Sequence, residues 1–345
     1  MLVSVQALRA LAAWLVVMHH VMQIFFDFKG DSVLGQLLVE KGAVGVDIFF
    51  VISGLVIYLS TQGRQQSPGH FMLNRILRIA PAYWLYSALM ALLLLFAPAL
   101  MPGQQGFELT HFIQSLLFIP AENPGGFGLF PTLSVGWTLN YEMLFYLLLS
   151  LTFLLGERYR LLMVGATLVL VSDVLAPAGV VSSFYGNAIL YEFLLGVAIG
   201  MGYRRGWIVP RLWLPLLALG IALTALYLLD SSQRLVNWGL PCALIVVAGV
   251  SLEEYFKGNR VLKVLGDWSY SVYLLHVLVL SVGYALGQRY GLQPYGVIGV
   301  CLLLTLLGSW VSFELVEKRL HRYLKALLAA PPRSAPTLQL SRQEH

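Results

Sequence analysis

Residues 5–26 read VQALRALAAWLVVMHHVMQIFF, a run whose only polar members are Gln6, Arg9, His19, His20 and Gln23. An α-helix of that length rises about 33 Å, slightly more than the roughly 30 Å of bilayer hydrocarbon. Its length and apolar content predict that this helix lies in lipid rather than on a soluble core. The run is too long for the apolar region of a secretory signal. No small-x-small cleavage pattern precedes Asp27, so the segment is expected to remain in the mature protein.

The same reading recurs along the chain. Further apolar stretches lie at Val44–Ser60, Ile79–Pro98, Leu133–Leu155, Leu161–Ala176, Phe184–Met201, Trp213–Leu229, Val236–Leu252, Trp268–Leu286 and Tyr295–Phe313, the fifth, sixth and eighth of the ten being near the lower length limit. A chain of 345 residues that is 58% hydrophobic and 11% charged has too much apolar surface for one soluble core. The expected fold is therefore all-α, a polytopic integral membrane protein with about ten transmembrane helices. The domain division is a transmembrane domain over 1–327 and a cytoplasmic tail over 328–345. From Pro331 onward that tail is rich in Pro, Ser and Gln and is expected to be disordered.

Basic residues set the orientation, because Lys and Arg are retained on the cytoplasmic side. With the amino terminus inside, eighteen basic residues fall on cytoplasmic segments and four (Lys29, Lys41, Arg234 and Arg289) on outer loops. Both termini are then cytoplasmic. The net charge of +5 is what such a distribution gives in bulk, so no nucleic-acid partner is assigned. Cys242 and Cys301 sit in apolar runs and form neither a disulfide framework nor a CxxC metal site. The one long connection, Ala99–Thr132, is expected to face outward, as a lid, an acceptor platform or an ordinary connector.

Ionisable side chains inside such spans cost several kcal/mol unless they face a partner or a cavity. Arg9 and His20 are eleven residues apart, which places them on one helical face about 16 Å apart along the axis; His19 points elsewhere. WTLNYEMLFY (137–146) puts Glu142 within about two turns of the outer boundary, at a depth similar to His20, where a carboxylate could orient the imidazole. NRILRIAPAYW (74–84) sets Arg75 and Arg78 on one face at the inner boundary. That pair suits either phosphate or a positive-inside anchor flanked by interfacial Tyr83 and Trp84. GDWSYSVYLLH (266–276) leads through serines and tyrosines suited to bonding neighbouring helices to His276, a weaker candidate than His20. Asp47, with Gly42, Gly45, Ser53 and Gly54 near it, reads first as a site of close helix packing. Glu192, Glu314 and Glu317 read as snorkelling or paired with nearby basic residues.

Six strings in order, QALRALAAWLVVMHH, GVDIFFVISG, NRILRIAPAYW, WTLNYEMLFY, YEFLLGVAIG and GDWSYSVYLLH, resemble the membrane acyltransferase family 3, the O-acetyltransferases of bacterial polysaccharides. Its exopolysaccharide O-acetyltransferases are the nearest in the second and fourth strings. The resemblance covers nearly the whole chain and implies an enzyme of the bacterial cytoplasmic membrane. It implies that Arg9 and His20 form an essential pair, that Arg75 and Arg78 match an Arg-x-x-Arg element, and that Glu142 matches an acid of the fourth span. The catalytic set is then His20, Glu142 and Arg9, with Arg75 and Arg78 binding the donor and His276 and Asp47 secondary.

Acetyl-CoA is the implied donor, its phosphates near Arg75 and Arg78. His20 acts as general base or as a transient acetyl carrier, and a carbohydrate is the acceptor. Polysaccharide biosynthesis or export proteins are candidate partners. No ligand cluster is suited to a metal. The sequence departs from the family where Glu317 is followed by Lys318 and Arg319 rather than by a basic residue and proline, a change expected to affect only helix termination. No hydrolase-like outer domain follows, so transfer is expected to finish within the membrane domain or with a separate partner. A flippase for a lipid-linked glycan would also place buried Arg, His and Glu along a substrate path.

Overall fold

The computed structural model describes residues 2–63, 66–104, 106–208 and 212–329. Among them there is no strand. The helices are α1 (Val3–Phe26), α2 (Val33–Lys41), α3 (Val44–Thr61), α4 (Pro68–Phe96), α5 (Leu109–Leu116), α6 (Trp137–Leu151), α7 (Glu157–Val169), α8 (Glu192–Arg204), α9 (Trp213–Leu228), α10 (Leu240–Ser251), α11 (Glu253–Phe256), α12 (Arg260–Tyr290), α13 (Pro294–Ser312) and α14 (His321–Ala329). Arg64, Arg211 and the tail from residue 330 lie outside the described residues. The last helix runs to Ala329, two residues into the segment assigned to the tail.

Each of the ten apolar stretches is helical, but not all are long helices. Among the described residues, five helical segments are long and apolar enough to cross a membrane: Val3–Phe26, Val44–Thr61, Pro68–Phe96, Arg260–Tyr290 and Pro294–Leu328. Trp213–Leu228 and Leu235–Ser251 are apolar but shorter. The fifth stretch ends in a π turn over Leu170–Leu175 before Pro177. The sixth opens in 3₁₀ turns, one started by the Asn187 side chain accepting from the Ile189 amide at 3.0 Å. Large apolar side chains stay exposed on the outer faces of α4, α9 and α13, among them Leu92, Leu95, Leu217, Leu223, Leu303 and Leu304, as a lipid-facing surface requires.

Close approach holds the bundle together. A Cβ at Gly54 would collide with the Phe193 carbonyl of α8, and one at Gly196 with the Val51 carbonyl of α3, so these two helices meet backbone to backbone. Gly45 makes the same approach to Ala12 of α1, as the small-residue pattern predicts. The start of α1, with its free amides, is capped by Glu253, whose carboxylate accepts from the Val3 and Ser4 amides at 2.8 Å each. α1 packs chiefly on α12, which lies some 250 residues further along the chain.

Pro81 stands inside α4 and has no amide to give the Leu77 carbonyl one turn earlier. That carbonyl is bonded instead by the His321 Nδ1–H at 3.1 Å, which fastens the start of α14 beside Arg78. The long connection after α4 is built onto it: Tyr83 OH donates to the Ser115 carbonyl at 3.0 Å and Trp84 Nε1 to that of Leu116 at 2.8 Å. Inside the connection, buried His111 Nε2 donates to the Phe130 carbonyl at 3.0 Å and its Nδ1 meets Thr132 Oγ1 at 3.3 Å.

Candidate functional site

A cavity of about 500 Å³ opens between α1, α3, α4, α6, α12 and the helix that continues α13. Three arginines from α1 and α4 reach it. Arg9 comes from the second turn of α1; Arg75 and Arg78 come from one face of α4, which begins eleven residues earlier than the apolar stretch it carries. Arg9 donates to Gln6 Oε1 at 3.2 Å, and Gln6 in turn bonds Asp267 of α12. Arg75 lies over the Phe71 and Tyr146 rings and reaches Ser60 Oγ at 3.4 Å. Arg78 makes no hydrogen bond or salt bridge among the described residues, and none of the three arginines has a carboxylate within ion-pair distance. Arg9 and Arg78 are close enough to repel each other, and the Glu317 carboxylate is within electrostatic reach of both. Such unpaired guanidiniums in a part-apolar cavity are a site for a polyanion.

Glu142 lines the cavity, but it does not meet His20. Its Oε1 accepts from Tyr146 OH at 2.5 Å and from Ser53 Oγ at 3.2 Å. The reason lies in the packing, since α6 leans on α4 whereas α1 is paired with α12. The face of α1 shared by Arg9 and His20 is the face turned to α12, so His20 meets His276 there, Nδ1 to Nε2 at 3.2 Å. His19, as predicted, turns elsewhere: its Nδ1 donates to the Leu38 carbonyl of α2 at 3.0 Å.

Neither His20 nor His276 lines the cavity. Tyr273 does, and its ring centroid is 6.0 Å from that of His276 and 5.9 Å from that of Phe49. The histidine pair thus sits just beyond the aromatic end of the cavity. Hydrogen bonding fixes the tautomers of the neutral rings. His276 Nδ1–H donates to the Val272 carbonyl at 3.1 Å, so its Nε2 accepts. His20 Nδ1–H donates to the Val16 carbonyl at 2.9 Å and faces that acceptor too, which leaves His20 Nε2 as the free basic nitrogen.

Asp47 belongs elsewhere. It is fully buried and holds Arg234 by both oxygens, at 2.9 and 2.8 Å, with Glu192 beside it and Arg234 over the Trp238 ring. This ion cluster ties α3 to α8 and to the π turn Leu235–Gly239 before α10. Arg234→Met should destabilise the protein by about 2–4 kcal/mol, because two carboxylates are then buried without a counter-charge. Asp47→Asn should cost less, since Glu192 still faces the guanidinium. Thermal unfolding in detergent compares the two, and equal losses would contradict the arrangement.

Glu317 corrects another expectation. It does not snorkel; it is buried on the cavity wall, accepting from Ser271 Oγ at 2.6 Å. Glu314 does pair with a basic residue, Lys318, at 2.8 Å. The serine and tyrosine hydroxyls of α12 mostly bond neighbours as read: Tyr270 to the Ile79 carbonyl and Tyr273 to that of Val135, with Ser269 turned back on its own helix. Gln6, Asp267, Lys318, His321 and Arg322 also line the cavity without having stood out in the sequence. Gln6 stands one turn before Arg9 on α1; the others lie too far along the chain from the arginines for their spacing to signal the meeting.

The sequence model of acyltransferase family 3, described as an acyltransferase domain, matches residues 2–314. The chain belongs to acyltransferase family 3. It is similar to the exopolysaccharide production protein ExoZ of Rhizobium meliloti, 34% identical over 298 residues that cover 81% of this chain and 90% of that one. Acyltransferase MdmB of Streptomyces mycarofaciens is 26% identical over 322 residues, 82% and 80% of the two chains. YrhL of Bacillus subtilis, provisionally named a peptidoglycan O-acetyltransferase, is 28% identical over 324 residues, 80% of this chain and 50% of that one. No solved structure matches the chain. The cavity is therefore that of a family 3 acyltransferase, an enzyme that requires an acyl donor.

Proposed function

We propose that this family 3 member is an O-acetyltransferase of the bacterial cytoplasmic membrane, moving acetyl from cytoplasmic acetyl-CoA to a hydroxyl of an exported or cell-surface polysaccharide or its lipid-linked precursor. The observation that carries this reading is the set of three unpaired arginines around one cavity whose far, aromatic end adjoins a histidine with a free basic nitrogen. In this reading the chain crosses the bilayer about ten times with both termini in the cytoplasm, so the arginine end faces the cytoplasm. The carbohydrate acceptor is supported by the names of ExoZ and YrhL.

Arg75, Arg78 and Arg9 hold the donor phosphates, and the flexible arm of the donor extends about 16 Å along α1 toward His20. The side chains of Phe49 and Tyr273 shift to admit the thioester. His20 Nε2 takes the proton of the acceptor hydroxyl as its oxygen attacks the thioester carbonyl. The carbon–sulfur bond then breaks, and the proton passes from His20 to the departing thiolate, giving free thiol and acetyl ester. His276 receives the Nδ1–H bond of His20 throughout and holds the ring in place. Glu142 stays with Tyr146 and Ser53, setting the charge balance of the cavity.

Transfer of radiolabelled acetyl from acetyl-CoA into glycan, by membranes with and without the protein, tests the reading. Label should enter glycan only where the protein is present. No transfer to any glycan fraction, with polysaccharide export altered on deletion, would replace the enzyme with a glycan flippase.

A further inference from the structure

Where the family often stops its last span with a proline, this chain has Lys318 and Arg319, and the helix does not stop. It continues from α13 through a π-bonded segment, Phe313–Leu320, into α14, and the departure therefore changes more than helix termination. π turns widen a helix locally and re-aim the side chains on it. Here the re-aimed side chains Glu317, Lys318, His321 and Arg322 all line the cavity. The bond from His321 to the carbonyl freed by Pro81 fixes their position against α4, beside Arg78. Arg322 gives only its Nε, to the Lys318 carbonyl at 3.1 Å, so its two terminal nitrogens are uncommitted among the described residues. Lys318 shares its charge with Glu314.

We propose that Lys318 and Arg322 form a second anion subsite on the cavity rim, holding the ribose 3′-phosphate of coenzyme A while Arg9, Arg75 and Arg78 hold its diphosphate. The assignment rests on the acetyl-CoA reading above and follows from reach. The thioester goes to the aromatic end near His20, so the adenosine end, the farthest part of the donor, stays at the mouth. Both rim side chains are exposed, as is Arg78 beside them, whereas Arg9 and Arg75 are half-buried, so Lys318 and Arg322 stand at the open end of the cavity. A purely topological anchor would face lipid headgroups, whereas these two line the cavity.

The test is binding of CoA and of dephospho-CoA, which lacks only the 3′-phosphate, to the full-length protein in detergent at fixed salt. Wild type should prefer CoA. The double variant Lys318→Ala/Arg322→Ala should weaken CoA binding by about tenfold, while dephospho-CoA binding stays within about twofold and serves as the check on folding. Arg319→Ala removes one positive charge from the same helix away from the cavity lining and should leave both affinities unchanged. Equal weakening of both compounds, or of neither, overturns the assignment. Failure of wild type to bind either compound overturns the acetyl-CoA reading itself, and the subsite with it.

Discussion

Replacing His20 by alanine is expected to lower acetyl transfer by about 10²–10⁴-fold while CoA binding stays within about twofold of wild type. The split follows from placement: His20 does not line the cavity that would hold the donor, and its contacts are the Val16 carbonyl and His276. Losing the imidazole removes the free Nε2 from the reaction without touching the arginines. Label incorporation and CoA binding on one preparation are enough to check it. Unchanged transfer would remove His20 from the chemistry. Loss of transfer together with CoA binding would show that the helix pair α1 and α12 had been disrupted, and that His20 is structural. Rapid quench of wild type with labelled donor adds a further reading, because an acetyl group found on His20 would replace direct transfer with a two-step route through the histidine.

How far this site could be read from the sequence depended on which kind of distance mattered. Spacing within one helix was legible. Arg9 with His20, and Arg75 with Arg78, share faces because both helices are continuous through those residues, even though α4 carries Pro81. Which helix a face meets was not legible. Glu142 and His20 are at similar depth by sequence, yet α1 lies on α12, so the partner of His20 is another histidine 256 residues away. Asp47 sits in one of the strings that carry the family resemblance, but its side chain serves an ion pair with Arg234, 187 residues on. Span length was legible for the five long helices and less so for the fifth and sixth stretches. There, Pro177 and the turn-forming Asn187 break apolar sequence that hydropathy alone reads as continuous.

Arg78→Ala is expected to weaken CoA binding by about 10–100-fold, the value of charge-assisted contacts to phosphate, with no loss of thermal stability. The two halves of that expectation separate a binding role from an anchoring one. A structural arginine has a counter-charge, and removing it strands a carboxylate, as Arg234→Met would strand Asp47. Arg78 makes no ion pair among the described residues; it lies between the repelling guanidinium of Arg9 and the attracting carboxylate of Glu317, and Glu317 keeps Arg9 and its Ser271 hydrogen bond when Arg78 is removed, so the two effects offset in the ligand-free protein. The unfolding temperature of the variant without ligand should therefore stay close to that of wild type, while the stabilisation given by saturating CoA disappears. Arg78→Lys should recover the charge but only part of the affinity, because an ammonium cannot make the two parallel bonds that a guanidinium gives to a phosphate. A variant that melts earlier without ligand, or that is stabilised by CoA as well as wild type is, would place Arg78 among the interfacial anchors and leave the donor to be held by Arg9 and Arg75 alone.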